Sequence, residues 1–115
     1  MKPRLLLEFD DNPDFASAVL FDADGFTVEQ TGNVSAASVA TYAALCREYS
    51  ITAGQANTAA LRVSIRRGAK TLYIRGAGSL RLAIELENTT KFGLAEVLAD
   101  RVQQRCLAFV PNRQE

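Results

Sequence analysis

The apolar positions of this chain change their period several times, and each change marks a boundary. Phe15 to Phe21 (FASAVLF) is apolar at nearly every position, as expected of a strand covered on both faces. Asp22-Ala23-Asp24-Gly25 is turn chemistry, with Gly25 supplying a positive φ, and Phe26 to Gln30 alternates as the partner strand of a hairpin. From Ala59 the period is two again, with Leu61, Val63 and Ile65 on one side and Arg62, Ser64 and Arg66 on the other. Arg67-Gly68-Ala69-Lys70 turns the chain. Leu72 and Ile74 then alternate with Thr71, Tyr73 and Arg75, and Gly76-Ala77-Gly78 turns it once more. Leu80, Leu82, Ile84 and Leu86 alternate with Arg81, Ala83 and Glu85, completing a three-strand meander.

Three stretches have helical spacing instead. Residues 3–10 predict a short helix, with Pro3 at a first helical position and Leu5, Leu6 and Phe9 on one face. After the break at Gly32-Asn33, Ser35 is a natural N-cap, Val34 and Val39 are spaced as a hydrophobic staple, and the helix should run to about Ala53, where Gly54 can take the left-handed C′ position. The last helix begins near Asn88-Thr89-Thr90, carries Leu94, Ala95, Leu98, Val102, Cys106 and Phe109 on its apolar side, and stops at Pro111. The order predicts an α/β protein of the α+β kind: a single five-stranded antiparallel sheet between helical layers, formed by residues 1–115 as one domain.

The central helix differs from the last one. At about 100° per residue, Val39, Tyr42, Ala43 and Cys46 make one stripe, wide enough to pack on a sheet. The opposite side, Ala37, Ala40, Thr41 and Ala44, is uncharged and small, so a second backbone can approach it closely. The last helix has an ordinary solvated side, with Glu96, Asp100, Arg101, Gln103, Gln104 and Arg105. The small-residue side therefore predicts contact with a second copy of the chain. The third strand, with Arg62 and Ser64, is the expected sheet edge in that homodimer.

Composition narrows the function. With 48% hydrophobic and 23% charged residues, the chain is an ordinary globular one, long enough to bury about two-thirds of its unfolded surface. No apolar run approaches the roughly 20 residues that span a bilayer, and the start turns acidic too early for a secretory signal, so a cytoplasmic protein without membrane insertion is expected. The net charge is zero, but residues 1–60 carry −5 and residues 61–115 carry +5. Such asymmetry with so few exposed aromatics favours a protein partner over nucleic acid. Cys46 and Cys106 sit at apolar helical positions and read as reduced core thiols, with a disulfide between them as the alternative.

Candidate chemistry is sparse. Val19 to Thr27 (VLFDADGFT) resembles the first motif of haloacid dehalogenase-like phosphatases, where the first Asp is a nucleophile and magnesium binds the carboxylates. Here Phe26 interrupts the motif, and the antiparallel pattern downstream does not supply that family's parallel sheet. An Asx-type turn on Asp22 is the preferred reading. Gly68-Ala69-Lys70-Thr71 and Gly76-Ala77-Gly78 lack phosphate-loop spacing and open no helix. The chain has no His, which removes the usual general base and most zinc sites, so no enzyme, cofactor or metal is expected. What remains is a surface, in which Arg62, Tyr73, Arg75 and Arg81, with Arg66, are expected on one basic sheet face that either binds a partner or is simply solvated, as one face of an antiparallel sheet commonly is.

The strand and turn AVLFDADGFTV, the helix SVATYAALCREY, the strand pair LRVSIRRGAKTLYIRG, and LAIELEN leading through Phe92-Gly93-Leu94 into the last helix together resemble the Roadblock/dynein light-chain family, related to profilin-like folds. The resemblance implies a three-layer α/β/α homodimer in which central helices pack together and third strands pair. It also implies a non-catalytic regulator or scaffold that binds a Ras-like small GTPase, in some relatives as a GTPase-activating partner. The alternatives are a profilin-like small-ligand sensor, a dynein-type scaffold subunit and, remotely, the phosphatase.

Overall fold

The computed structural model describes residues 4–52, 61–87 and 89–108. One antiparallel sheet of five strands runs through the molecule in the order β2-β1-β5-β4-β3, comprising β1 (Phe15–Phe21), β2 (Thr27–Thr31), β3 (Arg62–Arg67), β4 (Lys70–Ala77) and β5 (Leu80–Leu86). Helix α1 (Ala36–Thr52) covers one face and α2 (Phe92–Ala108) the other, giving the expected Roadblock/profilin-like three layers. The expected end of α1 at Ala53-Gly54 and the positions Asn88, Phe109 and Pro111 lie outside the described residues.

Local chemistry explains the elements. Ser35 caps α1 by accepting from the Ser38 amide through its hydroxyl (3.1 Å). Val34 and Val39 join the same apolar cluster, as a staple requires. The Asp22 carboxylate accepts from the amides of Asp24 (2.9 Å) and Phe26 (3.0 Å), so the Asp-x-Asp-Gly motif closes the β1–β2 hairpin. Every strand pair is antiparallel, in contrast to the parallel sheet of the phosphatases.

Two cores flank the sheet. Val19, Phe21, Val63, Ile74 and Ala83 meet Val39, Ala43 and Cys46 of α1. Ala18, Leu20, Tyr73, Leu82, Ile84 and Leu86 meet Ala95, Leu98, Ala99 and Val102 of α2, together with Leu5, Leu6 and Phe9. Cys46 and Cys106 belong to different cores on opposite faces and are both free, so the disulfide alternative is excluded. Burial pushes each thiol up to about 11.

The N-terminal stretch is less helical than expected, with only a 3₁₀ turn at Leu7–Phe9. Its backbone is held by side chains from elsewhere. The Glu29 carboxylate accepts from the amides of Leu5 (3.1 Å) and Leu6 (2.7 Å), and Arg105 donates to the Leu5 carbonyl (2.8 Å) and to Glu8 (2.7 Å). Arg4 joins Asp10 at 2.9 Å. The bond from Arg105 holds the Glu8 carboxyl below its ordinary value of 4.5, and the bond from Arg4 lowers Asp10. Depressed carboxylates stabilise the fold above their unfolded values and lose that contribution as pH falls through the folded ones. The stability difference between wild type and Glu8→Gln should therefore be full at pH 7 and shrink as the pH falls below the ordinary value of 4.5 through the lower folded one, as read by urea denaturation. A difference that persists unchanged at pH 3 would show that Glu8 acts through packing alone.

Candidate functional site

The small-residue side of α1 stands open. Val39, Ala43 and Cys46 are buried against the sheet, and Ala37, Ala40, Thr41 and Ala44 are all exposed. The Thr41 hydroxyl donates to the Ala37 carbonyl (3.0 Å), which satisfies it within the helix and leaves the face without outward polar donors. Beside this face, β3 is the last strand of the sheet, with no further strand on its outer side among the described residues, and Arg62 and Ser64 are exposed there. Edge and helix face are thus placed together, as a shared surface requires.

Between the flank of α1 and the sheet runs a groove of about 450 Å³. Thr41, Tyr42 and Leu45 form its helical wall, and Ile65, Leu72 and Glu85 lie on the sheet side. Leu45 and Ile65 are half-buried and Tyr49 is 48% exposed, so large apolar side chains border the small-residue face on the side of β3. Phe26, 70% exposed, follows Gly25, which packs against Ala40 and Ala43. The sequence pattern did not single out Leu45 and Tyr49. Their signal was the i, i+4 spacing of two large apolar residues outside the buried stripe.

The expected basic face is not formed. Residues directly opposite in an antiparallel ladder share a face, and β4 pairs with β5 so that Arg75 meets Leu82 and Tyr73 meets Ile84. Tyr73 and Arg75 therefore point under α2 and are buried, at 2% and 3% exposure. Arg81 pairs with Phe21 and Gly76 and belongs to the α1 side, where it donates to the Ser79 carbonyl (2.8 Å) and its charge reaches Cys46. Arg62, opposite Arg75, lies on the α2 side. The register thus leaves Arg62, Tyr73 and Arg75 on the α2 side, two of them buried, and Arg81 alone on the other, so the four form no common surface.

Arg75 has a structural role instead. It donates to Asp100 at 2.6 Å and to the Gln103 side chain, which fastens α2 to β4. Tyr73 packs edge-on against Phe92 at 4.8 Å, and its buried hydroxyl has no hydrogen-bond partner among the described residues. Among the described residues no group of His, Cys, Asp and Glu is arranged to hold a metal, and no helix is long and apolar enough to cross a membrane.

No family model matches the sequence, and no curated protein matches it either. Solved structures do. The Roadblock/LC7 domain from Streptomyces avermitilis is 21% identical with a TM-score of 0.60, over 90% of this chain and 87% of that one. Myxococcus xanthus MglB is 14% identical with a TM-score of 0.72, over 99% of this chain and 98% of that one. An MglB in a tetrameric arrangement is 16% identical with a TM-score of 0.68, over 90% and 83%. With its strand order, its two helical layers and these likenesses together, the chain has a Roadblock-like fold.

Proposed function

We propose that this protein is a non-catalytic homodimeric regulator or scaffold for a Ras-like small GTPase. The observation that carries the reading is the pairing of an exposed, uncharged helix face (Ala37, Ala40, Thr41, Ala44) with a sheet edge at β3 that is unpaired among the described residues. A second copy meets both needs at once. Its α1 covers the small residues and the groove flanked by Leu45, and its β3, with Arg62 and Ser64, extends the sheet. The tetrameric arrangement of an MglB of the same fold supports this reading. The GTPase then docks on the α1 side, where Arg47 and Arg81 lie at the margin and act chiefly on the association rate. The resemblance to Roadblock relatives supports this choice of partner. Tyr73 and Arg75, enclosed under α2, take no part in it.

Ala44→Arg places a charge in the middle of the covered face and should weaken the dimer at least about a hundredfold with the fold retained. Light scattering and circular dichroism read the two quantities. A wild type that is monomeric at micromolar concentration in chloride and phosphate buffers alike argues against the dimer. Co-purification of the tagged protein tests the GTPase, and recovery of a Ras-like GTPase with wild type and its loss with Ala44→Arg is the expected result. The groove itself supports a second reading, that of a small-ligand sensor, because hydroxyls of Ser17, Ser38 and Tyr42 border it with Glu85. A ligand that raises the melting temperature of the monomeric variant would favour that reading.

A further inference from the structure

We propose that the homodimer carries a binding site for a multivalent oxyanion of the phosphate class, bridging Arg62 and Arg66 of one copy to the same residues of the second across the paired β3 strands. The inference rests on the dimer reading above and adds a regulator to it. Its first ground is coverage. Helix α2 packs on β4 and β5, and the row of β3 on that side, Arg62, Ser64 and Arg66, is left exposed. The ladder places this row on the side of Thr71, Tyr73 and Arg75.

The second ground is charge. Arg75 on β4 is neutralised by Asp100, and Lys70 is paired with Glu87 at 3.8 Å. Arg62 and Arg66 make no ion pair or side-chain hydrogen bond among the described residues. Each copy thus brings to its edge two guanidinium groups that no charge among the described residues compensates.

The third ground is parity. Two copies related by a two-fold axis perpendicular to the sheet pair β3 with β3 so that facing positions sum to an even number. Every such register puts both arginine rows on one face. Centred on Ser64, the pairing sets Arg62 opposite Arg66 of the second copy; moved by one pair either way, it sets an arginine opposite Ser64 and diagonal to the other arginine. Directly opposed side chains start about 5 Å apart and diagonal ones about 7–8 Å, and like charges so placed oppose the pairing. A guanidinium keeps its charge at any accessible pH, so protonation gives no relief. A tetrahedral oxyanion gives it, because the planar fork donates bidentately to two oxygens and Ser64 adds a hydroxyl donor between the arginines. The edge is therefore self-repelling until an anion links it, which also guards it against indiscriminate strand pairing.

Sedimentation velocity on the full chain tests this, with the dimer constant measured in chloride, inorganic phosphate and pyrophosphate at matched ionic strength, so that general screening cancels. Wild type should dimerise about tenfold more tightly in phosphate than in chloride. Tightening by inorganic phosphate identifies the free ion as a sufficient ligand; tightening by pyrophosphate alone supports the site and assigns it to a phosphate chain. Arg62→Gln with Arg66→Gln should dimerise tightly in all three buffers. Arg62→Lys with Arg66→Lys keeps the repulsion without the fork and should keep a weaker phosphate dependence. Equal wild-type constants in every buffer, or a glutamine variant that still responds, would overturn the site while leaving the dimer standing. A chain monomeric in every buffer, glutamine variant included, would overturn the dimer reading itself.

Discussion

Gly32→Ala should destabilise the protein by about 3 kcal/mol and lower its melting temperature by roughly 10 °C. Gly32 has φ +81°, and a Cβ built there would stand 2.5 Å from the Ala16 carbonyl oxygen and 3.1 Å from Ser17 Cα and Cβ. The conformation alone costs an L-residue about 1–2 kcal/mol. The contact adds more because neither partner is free to retreat. Ala16 lies in β1 at an irregularity between Phe15 and Ser17, and β1 is tied to β5 on one side and β2 on the other. Relief would have to come from bending a central strand. Gly68 is the control, since it has φ +60° with nothing within 4 Å of the built Cβ, and Gly68→Ala should lose only the conformational part. Equal losses in the two variants, by thermal denaturation, would show that the Ala16 contact yields freely.

Asp100→Ala should cost about 2 kcal/mol, and adding Arg75→Met should restore most of it. The Arg75 side chain is 3% exposed and that of Asp100 is 63% exposed, so the cation is enclosed while its counter-charge is partly wet. Removing Asp100 leaves a buried guanidinium with neutral acceptors only, at Gln103 and the Glu96 carbonyl. Solvent around Asp100 keeps the cost below the 3–5 kcal/mol typical of a fully enclosed pair. Methionine retains apolar volume without the charge, so the double variant leaves no ion stranded. Urea denaturation measures both, and a double variant no more stable than Asp100→Ala would mean that the guanidinium stem, rather than its charge, holds α2 in place.

The sequence pattern was informative about elements and weak about faces, for a physical reason. Alternation within a strand is local: Leu72 and Ile74 against Tyr73 and Arg75, or Leu82 and Ile84 against Arg81 and Ala83, are visible in any window of a few residues. Which row of one strand joins which row of the next depends on the length of the turn. Read as a three-residue turn at Gly76-Ala77-Gly78, the second hairpin sets Arg75 apart from the leucines. The turn residues are Gly78 and Ser79, Ala77 pairs with Leu80, and the shift carries Tyr73 and Arg75 into the second core. The small-residue stripe of α1 was legible because a helix displays its own faces by spacing alone. The groove beside it was not, since it depends on Ile65 and Glu85 arriving from distant parts of the chain. The N-terminal turn likewise shows apolar spacing, but nothing near it announces that Glu29 accepts from its amides.

The placement of the two cysteines, one in each core, equips the molecule with a pair of native chemical clocks. Cys46 sits at 3% exposure under α1 and Cys106 at 8% under α2, and each thiol reacts only while its own helix is lifted. Labelling rates followed by mass therefore time the two coverings separately within one chain. Among the described residues α1 buries Val39, Ala43 and Cys46, a smaller set than the Ala95, Leu98, Ala99, Val102 and Cys106 of α2, so in an isolated subunit the Cys46 clock should run faster. Anything that seats on α1 slows that clock and leaves the Cys106 clock unchanged, so the ratio of the two rates reports occupancy of one side of the sheet without any introduced probe.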